Sequence, residues 1–163
     1  MYYYNLVIEF TIMNIDFFMN KALDQAHRAL LASEVPIGAV LVDNETNEII
    51  CSNHNRVNSL HNSTLHAEMI VINESCKKRK SKILNNTTLF VTLEPCTMCA
   101  AAISEVHIEK IYFGAYDEKK GSLESIMKIY NEKNFFVPEF YGGMNEKKCS
   151  ILLKKFFHQK RIK

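Results

Sequence analysis

The sequence predicts one α/β domain in which helices cover both faces of a mixed β-sheet. Three observations favour this fold class. The chain has 163 residues and is 47% hydrophobic, which is enough to build a single full core. It contains only 5 Gly and 3 Pro, and no linker stretch divides it. Two adjacent strand patterns precede strands that alternate with helical patterns, which is typical of a mixed sheet.

The N-terminal half begins with an amphipathic helix and a hairpin. Apolar residues recur at helical spacing from Ile15 to Ala32 and predict the first helix. The apolar run Val35–Val42, a polar turn and the segment Glu48–Cys51 predict two antiparallel strands. Asn62 is a favourable N-cap, so we expect a second helix from about Ser63 to Cys76, ended by the basic cluster that follows.

The C-terminal half alternates strands with helices. Thr88–Thr92 predicts a buried strand, and Pro95 is a favourable residue to open a third helix, which we expect to end near Glu105. Ile108–Phe113 predicts another strand, followed by a loop. Three further elements complete the pattern: a short helix from Leu123, a segment around Phe136–Phe140, and a long helix from about Glu146.

The first residues of the chain are interpreted as an extension of this domain. They are apolar and aromatic, but they lack a basic region and a small-residue cleavage site, and Asp16 interrupts them before they could span a bilayer. We expect an extra turn or strand there, and Met13 is a plausible alternative start. The predicted organisation is an N-terminal extension at 1–13 and a single domain at 14–163, with core motifs at 35–125 and a basic C-terminal helix at 145–163.

Basic residues concentrate at the C-terminus, although the formal net charge of the chain is only +2. No acidic residue occurs in 147–163. A charge run of this kind is usually a solvated helix end, and the functional alternative is an arm that binds phosphates. The basic residues are Lys147, Lys148, Lys154, Lys155, Lys160, Arg161 and Lys163.

The cysteines argue against a disulfide framework. There are 5 of them, an odd number, and the close pair is Cys96 and Cys99. This usage indicates a reducing compartment, so we expect a cytoplasmic protein that holds either a metal ion or a redox pair.

His66, Cys96 and Cys99 are the candidate metal ligands. Cys96 and Cys99 are three residues apart, so they share one face of a helix and can bind the same metal ion. Their place at the start of the third helix favours the thiolate form. Zinc prefers thiolate and imidazole in a tetrahedral site, and a catalytic site keeps the fourth position for water. We therefore predict one Zn²⁺ per chain.

Glu68 is the candidate proton shuttle, because the three ligands already satisfy the metal. A carboxylate beside activated water can take its proton and later protonate a leaving amine. A lone Cys-x-x-Cys also fits a redox pair or half of a structural zinc site. A structural site would need a fourth ligand at metal spacing, which the other cysteines do not supply. The combined pattern, His-x-Glu followed by Pro-Cys-x-x-Cys, is the signature of zinc-dependent nucleobase deaminases.

The chain resembles the bacterial tRNA adenosine deaminase family within the cytidine deaminase-like superfamily, from about Ile15 to the C-terminus. The resemblance implies a three-layer α/β/α cytidine deaminase-like fold with a mixed five-stranded sheet. It also implies hydrolytic deamination of adenosine to inosine at the wobble position of tRNA. The matching stretches are Glu34–Val40, Asn55–Arg56, Leu65–Glu68, Leu93–Ala100, Tyr112–Ala115 with Asp117, and Phe156–Phe157.

The resemblance also implies roles in substrate binding. Asn55 would hydrogen-bond the base, while Pro36, Ile37 and the backbone around Ala67 would line the pocket. Without the resemblance, Asn55 would be interpreted as a turn residue beside the hairpin. Asp117 lies in a loop that is expected to contact substrate, although this loop is shorter here than in many members of the family.

The step from a deaminase to a tRNA deaminase rests on the C-terminal tail. Lys160 and Arg161 can neutralise phosphates, and Phe156 and Phe157 can pack a splayed base or sugar. Adjacent aromatic residues on a helix are, however, more often one core residue and one exposed neighbour. The resemblance implies the anticodon stem-loop of tRNA as partner, a homodimer as the assembly, and no membrane partner.

Three alternatives compete with this interpretation. The strongest is a deaminase of free bases or nucleotides, of the guanine or cytosine type. A non-catalytic RNA-binding subunit of a deaminase pair is disfavoured because such subunits usually lose the glutamate that is present here as Glu68. A riboflavin-type deaminase is disfavoured because no reductase domain follows.

Overall fold

The computed structural model describes residues 12–161, in which a five-stranded sheet separates two layers of helices. The extra turn or strand predicted for the N-terminal extension falls mainly on residues outside this range. The helices are α1 (Ile15–Leu31), α2 (Ala67–Arg79), α3 (Thr97–Glu105) and α4 (Glu146–Arg161). The strands are β1 (Gly38–Asp43), β2 (Ile49–His54), β3 (Thr87–Leu93), β4 (Lys110–Ala115) and β5 (Glu139–Tyr141).

The sheet is mixed, as predicted, and its strand order is β2-β1-β3-β4-β5. Strand β1 pairs antiparallel with both β2 and β3, whereas β4 pairs parallel with both β3 and β5. Parallel neighbours end at the same edge of a sheet, so the chain leaves β3 and β4 at one edge. The segment that follows β3 leads directly into α3, and this edge positions the candidate site.

The two helix layers follow from the alternation of side chains along the strands. In β3, Phe90 packs with apolar residues of α1 and α4, whereas Leu89 and Val91 pack with those of α2 and α3. Helix α1 lies very close to β1 because Gly38 has no side chain: a Cβ there would lie 2.1 Å from the carbonyl oxygen of Ala22. The predicted three-layer α/β/α fold is therefore confirmed. Within residues 12–161, no helix combines the length and the apolar character needed to cross a bilayer.

The start of α2 was predicted wrongly. The helix begins at Ala67 and not near Ser63, and it continues to Arg79. Asn62 does not cap a helix, because its side-chain oxygen instead accepts hydrogen bonds from the backbone and the hydroxyl of Thr64, at 2.9 and 2.7 Å. This local turn uses the capping group before the helix starts.

The short helix predicted from Leu123 is also wrong. Residues 122–125 form consecutive turns, and the backbone N–H groups of Leu123, Glu124 and Ser125 donate to the carboxylate of Glu94. A buried side chain has thus replaced the carbonyl acceptors that a helix would supply. A single 3₁₀ turn follows at Ile129–Asn131.

Candidate metal centre and substrate pocket

His66 and Cys96 occupy the N-cap positions of α2 and α3, and Cys99 lies in the first turn of α3. An N-cap side chain usually accepts a hydrogen bond from the free N–H groups of the first turn. Neither His66 nor Cys96 makes such a bond. Neither side chain is therefore used as a helix cap, and both remain available at the two helix starts.

The three side chains form a cluster with the dimensions of a zinc site. The Sγ atoms of Cys96 and Cys99 lie 3.6 and 3.5 Å from Nδ1 of His66, and 3.7 Å from each other. Tetrahedral zinc with ordinary bond lengths requires S···N separations of about 3.6 Å and an S···S separation of about 3.8 Å. Within residues 12–161, this is the group of His, Cys and acidic residues whose ligand atoms converge closely enough to hold a metal ion. The residues thus fit one Zn²⁺.

Hydrogen bonds within the cluster shift the pKa values of all three side chains. Cys99 shares a hydrogen bond with Cys96, which lowers the pKa of Cys96 to about 4 and raises the pKa of Cys99. The hydrogen bond with Cys96 likewise raises the pKa of His66. The Cys96 thiolate therefore supplies an anionic ligand of the kind that suits a divalent zinc ion.

Glu68 lies in the first turn of α2, directly beside this cluster. Its side chain is 4% exposed, and burial raises its pKa to about 7. Its Oε2 atom is buried and has no hydrogen-bond partner among residues 12–161. A buried carboxylate oxygen without a partner normally costs free energy. The Oε2 atom of Glu68 is therefore available to accept a hydrogen bond or a proton from a ligand.

Asn55 is buried between the hairpin and the start of α2. Its Oδ1 atom accepts a hydrogen bond of 2.8 Å from the backbone N–H of Ala67, and its own N–H donates to the carbonyl of Ile37 at 3.1 Å. Asn55 therefore caps α2 from twelve residues away, which the sequence analysis did not anticipate. The amide nitrogen of Asn55 donates no hydrogen bond within the described chain, so this donor is available to a ligand.

Pro36 and Ile37 are buried in the segment that leads into β1. A second buried carboxylate, Glu34, fixes the neighbouring loop: it accepts hydrogen bonds from the backbone N–H groups of Asn58 and Ser59, at 3.1 and 2.7 Å. The structure thus joins this segment to Asn55 and to the loop before His66. Glu34 belongs to the matching stretch Glu34–Val40, but its role in this loop was not predictable from the sequence.

Asp117 organises the loop that follows β4. Its side chain accepts hydrogen bonds from the backbone N–H groups of Lys119 and Lys120, at 2.9 and 3.1 Å. Gly121, the next residue of this loop, forms a bridge with Cys96. The structure therefore brings the loop to the metal cluster, while the side chain of Asp117 serves the loop itself.

The C-terminal tail lies in the other helix layer. Phe156 is 6% exposed and packs inside the protein, whereas Phe157 is 48% exposed. Of the two aromatic residues, Phe157 is therefore the one available to a substrate. Lys160 and Arg161 are exposed, and within residues 12–161 no hydrogen bond, ion pair or ring contact joins them to the metal cluster.

Comparison with known proteins agrees with this geometry. Residues 13–115 match the family model of the cytidine and deoxycytidylate deaminase zinc-binding region. The chain is 44% identical to a tRNA-specific adenosine deaminase of Rickettsia felis, over 89% of this chain and 100% of that protein. It is 42% identical to a protein of the same name from Bacillus subtilis, over 91% of each chain.

A solved structure is also similar over most of the chain. It comes from a study of A-to-I editing by tRNA:A34 deaminases at the wobble position of transfer RNA. The two chains are 40% identical, and they superpose with a TM-score of 0.81 over 84% of this chain and 99% of that chain. The two chains therefore share their fold over most of this chain.

Proposed function

This chain belongs to the tRNA-specific adenosine deaminase family, and we propose that it is a zinc-dependent hydrolase that converts adenosine to inosine at the wobble position of a tRNA. The observation that supports this most strongly is the cluster of His66, Cys96 and Cys99 with Glu68 beside it. Relatives that match this chain over 91% and 100% of their own length are named tRNA-specific adenosine deaminases.

The proposed reaction is a hydrolysis in which Glu68 moves the protons. Water adds to C6 of adenine, the bond from C6 to the amino group breaks, and ammonia leaves. His66, Cys96 and Cys99 would hold the Zn²⁺, which would supply Lewis-acid activation of the water. Glu68 accepts one proton of the attacking water at its unpartnered Oε2 atom and transfers it to the ring nitrogen. It then takes the second proton from the hydroxyl group added at C6 and delivers it to the departing amine, so that a carbonyl remains at C6.

The base is proposed to bind between the metal cluster and the segment before β1. The amide nitrogen of Asn55 would donate a hydrogen bond to the base, since its oxygen is already occupied by Ala67. Pro36, Ile37 and the backbone of Ala67 would form the apolar walls. Burial of Pro36 and Ile37 in this segment supports their assignment as wall residues and not as surface residues.

The RNA is proposed to extend from the pocket over the loop of Asp117 and the exposed tail. Phe157 would contact a base or sugar, and Lys160 and Arg161 would neutralise phosphates of the anticodon stem-loop. A tRNA substrate and cysteines without disulfides support a cytoplasmic location.

We also propose that the enzyme acts as a homodimer, which is the assembly expected from the resemblance. Large apolar side chains are exposed on the loops that flank the site and support a covered surface there. They are Leu60, Ile126 and Met127. Sedimentation at micromolar concentration distinguishes a dimer from a monomer.

The test of the proposed function is incubation of the purified protein with total bacterial tRNA, followed by inosine mapping. We expect inosine at position 34 of one tRNA or a small set of tRNAs. Parallel reactions contain guanine, cytosine and their nucleotides. Ammonia release from one of these, with no inosine in tRNA, would favour the free-base deaminase instead. Tight RNA binding without any deamination would favour the non-catalytic subunit.

A further inference from the structure

Glu94 is a buried carboxylate that the proposed chemistry does not use. It follows β3 directly, is 2% exposed, and lies two residues before the metal ligand Cys96. Its two oxygens accept five hydrogen bonds from a single stretch of chain that begins after β4. The donors are the N–H groups of Asp117 (3.1 Å), Leu123 (3.1 Å), Glu124 (2.8 Å) and Ser125 (2.9 Å), together with the hydroxyl of Ser125.

These bonds come from both ends of one loop. We call residues 117–125 the Glu94 loop. Asp117 starts it and donates to Oε2, whereas Leu123, Glu124 and Ser125 donate to Oε1 at its end. A buried charge is costly unless hydrogen bonds replace its hydration, and here every one of those bonds comes from this loop. The conformation of the Glu94 loop therefore depends on the Glu94 side chain, to which both ends of the loop donate hydrogen bonds.

The Glu94 loop lies against the metal ligands. Gly121 bridges to Cys96, and the N–H of Ser122 donates to the carbonyl of Pro95 at 3.0 Å. The hydroxyls of Ser122 and Thr97 share a hydrogen bond of 2.7 Å. A displacement of the loop therefore changes the space beside the metal cluster, although the loop contributes no metal ligand.

The fit around the carboxylate is tight at Gly121. A Cβ on this residue would lie 2.3 Å from Oε2 of Glu94 and 2.6 Å from the carbonyl oxygen of Asp117. These distances are too short for any side chain, so glycine is required for the loop to close on the carboxylate. Gly121 thus offers a second way to disturb the loop, with Glu94 itself unchanged.

We propose that Glu94 is a positioning residue that shapes the Glu94 loop into a wall of the substrate pocket and thereby sets the affinity for the RNA substrate. This inference rests on the proposed function. Within residues 12–161, the hydrogen bonds of the Glu94 side chain go to the Glu94 loop and not to His66, Cys96 or Cys99. Loss of this side chain therefore affects substrate binding more than it affects chemistry or metal binding.

Two substitutions of Glu94 test this inference. Glu94→Met has a similar volume and no acceptor oxygen, whereas Glu94→Gln keeps one oxygen that can accept the three bonds made to Oε1. We expect the KM for an anticodon stem-loop to rise about tenfold or more in the methionine variant and less in the glutamine variant. We expect kcat and the zinc content to remain within about twofold of the unmodified protein.

Amide hydrogen exchange provides a readout that does not depend on activity. The N–H groups of Leu123, Glu124 and Ser125 should exchange slowly in the unmodified protein and much faster in Glu94→Met. Glu118→Ala is the matched control, because Glu118 is an exposed carboxylate on the same loop. Because Glu118 lies on the proposed pocket wall, only its exchange rates are compared, and these should not change. The control for the KM is Glu45→Ala, an exposed carboxylate in the turn between β1 and β2, which should leave the KM unchanged.

If Glu94→Met fails to fold, Gly121→Ala provides a second test of the inference. It should raise the KM and retain zinc. An unchanged KM in a folded Glu94→Met or Gly121→Ala protein would overturn the inference, and so would loss of zinc in both, since Glu94 would then act through Cys96. Failure of the proposed function looks different: the unmodified protein would form no inosine in tRNA, while the exchange experiment would still report on the Glu94 loop.

Discussion

Cys96 has two roles, because it is the N-cap residue of α3 and also a proposed zinc ligand. Replacement by serine separates them. Serine is a favourable N-cap, so Cys96→Ser should fold, but its neutral hydroxyl is a poor substitute for a thiolate. We expect zinc to fall from about one per chain to well below half of that, as measured by metal analysis of the purified protein.

Cys76→Ser is the control for this prediction. Cys76 is a partly buried thiol in the last turns of α2 and lies outside the metal cluster. Its replacement should leave the zinc content unchanged. If Cys96→Ser also retained a full complement of zinc, the assignment of the ligands would be wrong.

Glu68 is proposed to move protons and not to bind zinc. Glu68→Ala should therefore fold and keep its metal, since no described donor depends on the Oε2 atom. Turnover of an anticodon stem-loop should fall by about 10²–10⁴-fold, the usual contribution of proton transfer. Glu105→Ala, an exposed carboxylate of α3, is the control and should keep normal turnover.

Two outcomes would contradict this role of Glu68. Loss of zinc in Glu68→Ala would make the carboxylate a ligand, and the proposed ligand set would then be incomplete. Turnover close to that of the unmodified protein would mean that another group moves the proton. Metal analysis and single-turnover kinetics on the same preparation separate these cases.

At the level of secondary structure, Asn55 links the hairpin to the start of α2. Its oxygen caps the helix through the N–H of Ala67, while its amide nitrogen is proposed to meet the base. Asn55→Ala loses both contacts and should lower the free energy of unfolding by about 1 kcal/mol. Asn55→Asp keeps the acceptor, which the helix N-terminus favours, so its stability should be close to that of the unmodified protein.

Turnover distinguishes the two roles of Asn55. Asn55→Asp lacks the amide donor, so we expect its kcat/KM to fall about tenfold or more although the fold is retained. Chemical denaturation and deamination assays on the two variants provide the measurements. Normal turnover in Asn55→Asp would show that Asn55 is only a helix cap.

The sequence predicted the type and order of the principal helices and strands, because hydrophobic periodicity is a local signal. It failed where a distant side chain determines the local structure. Helix α2 starts at Ala67 because Asn55 caps it, and the turns after Gly121 replace a helix because Glu94 accepts their N–H groups. Both acceptors lie far from these elements along the chain, so propensity alone could not locate them.

The residues of the candidate site also fall into a group that the sequence predicts and a group that it does not. His66, Cys96 and Cys99 were predictable because their spacing is fixed by two short motifs at two helix starts. The buried carboxylates Glu34 and Glu94 were not predicted to have roles. Their hydrogen-bond partners lie 23 to 31 residues away in sequence. The residues that precede each glutamate form an ordinary polar or apolar segment. The local sequence therefore does not indicate that the glutamate is buried.

For the whole molecule, the main question is how an RNA reaches both the metal cluster and the tail. The cluster lies at the starts of α2 and α3, whereas α4 packs with α1 on the other face of the sheet. The proposed RNA path must therefore pass the sheet edge where β3 and β4 end. An anticodon stem-loop is large enough for this path, whereas a free base occupies only the pocket.

Charge substitutions in the tail test this path. Replacing Lys160 and Arg161 by Gln should preserve the fold and the zinc, since both side chains are exposed. It should weaken binding of the stem-loop and reduce the salt slope by roughly 1.4 to 1.8, that is, by about 0.7 to 0.9 for each lost phosphate contact. A fluorescence titration of labelled stem-loop at several salt concentrations measures both quantities.

The matched control changes the same number of charges at the far end of α2. Lys77 and Lys80 are exposed there, about 20 Å from the helix start that holds His66. Their replacement by Gln lowers the net charge equally, so a general electrostatic effect would weaken binding as much as the tail variant does. If only the tail variant changes the salt slope, the phosphates lie along α4. If neither variant does, the tail is a solvated helix end, and the free-base deaminase becomes the better explanation of the site.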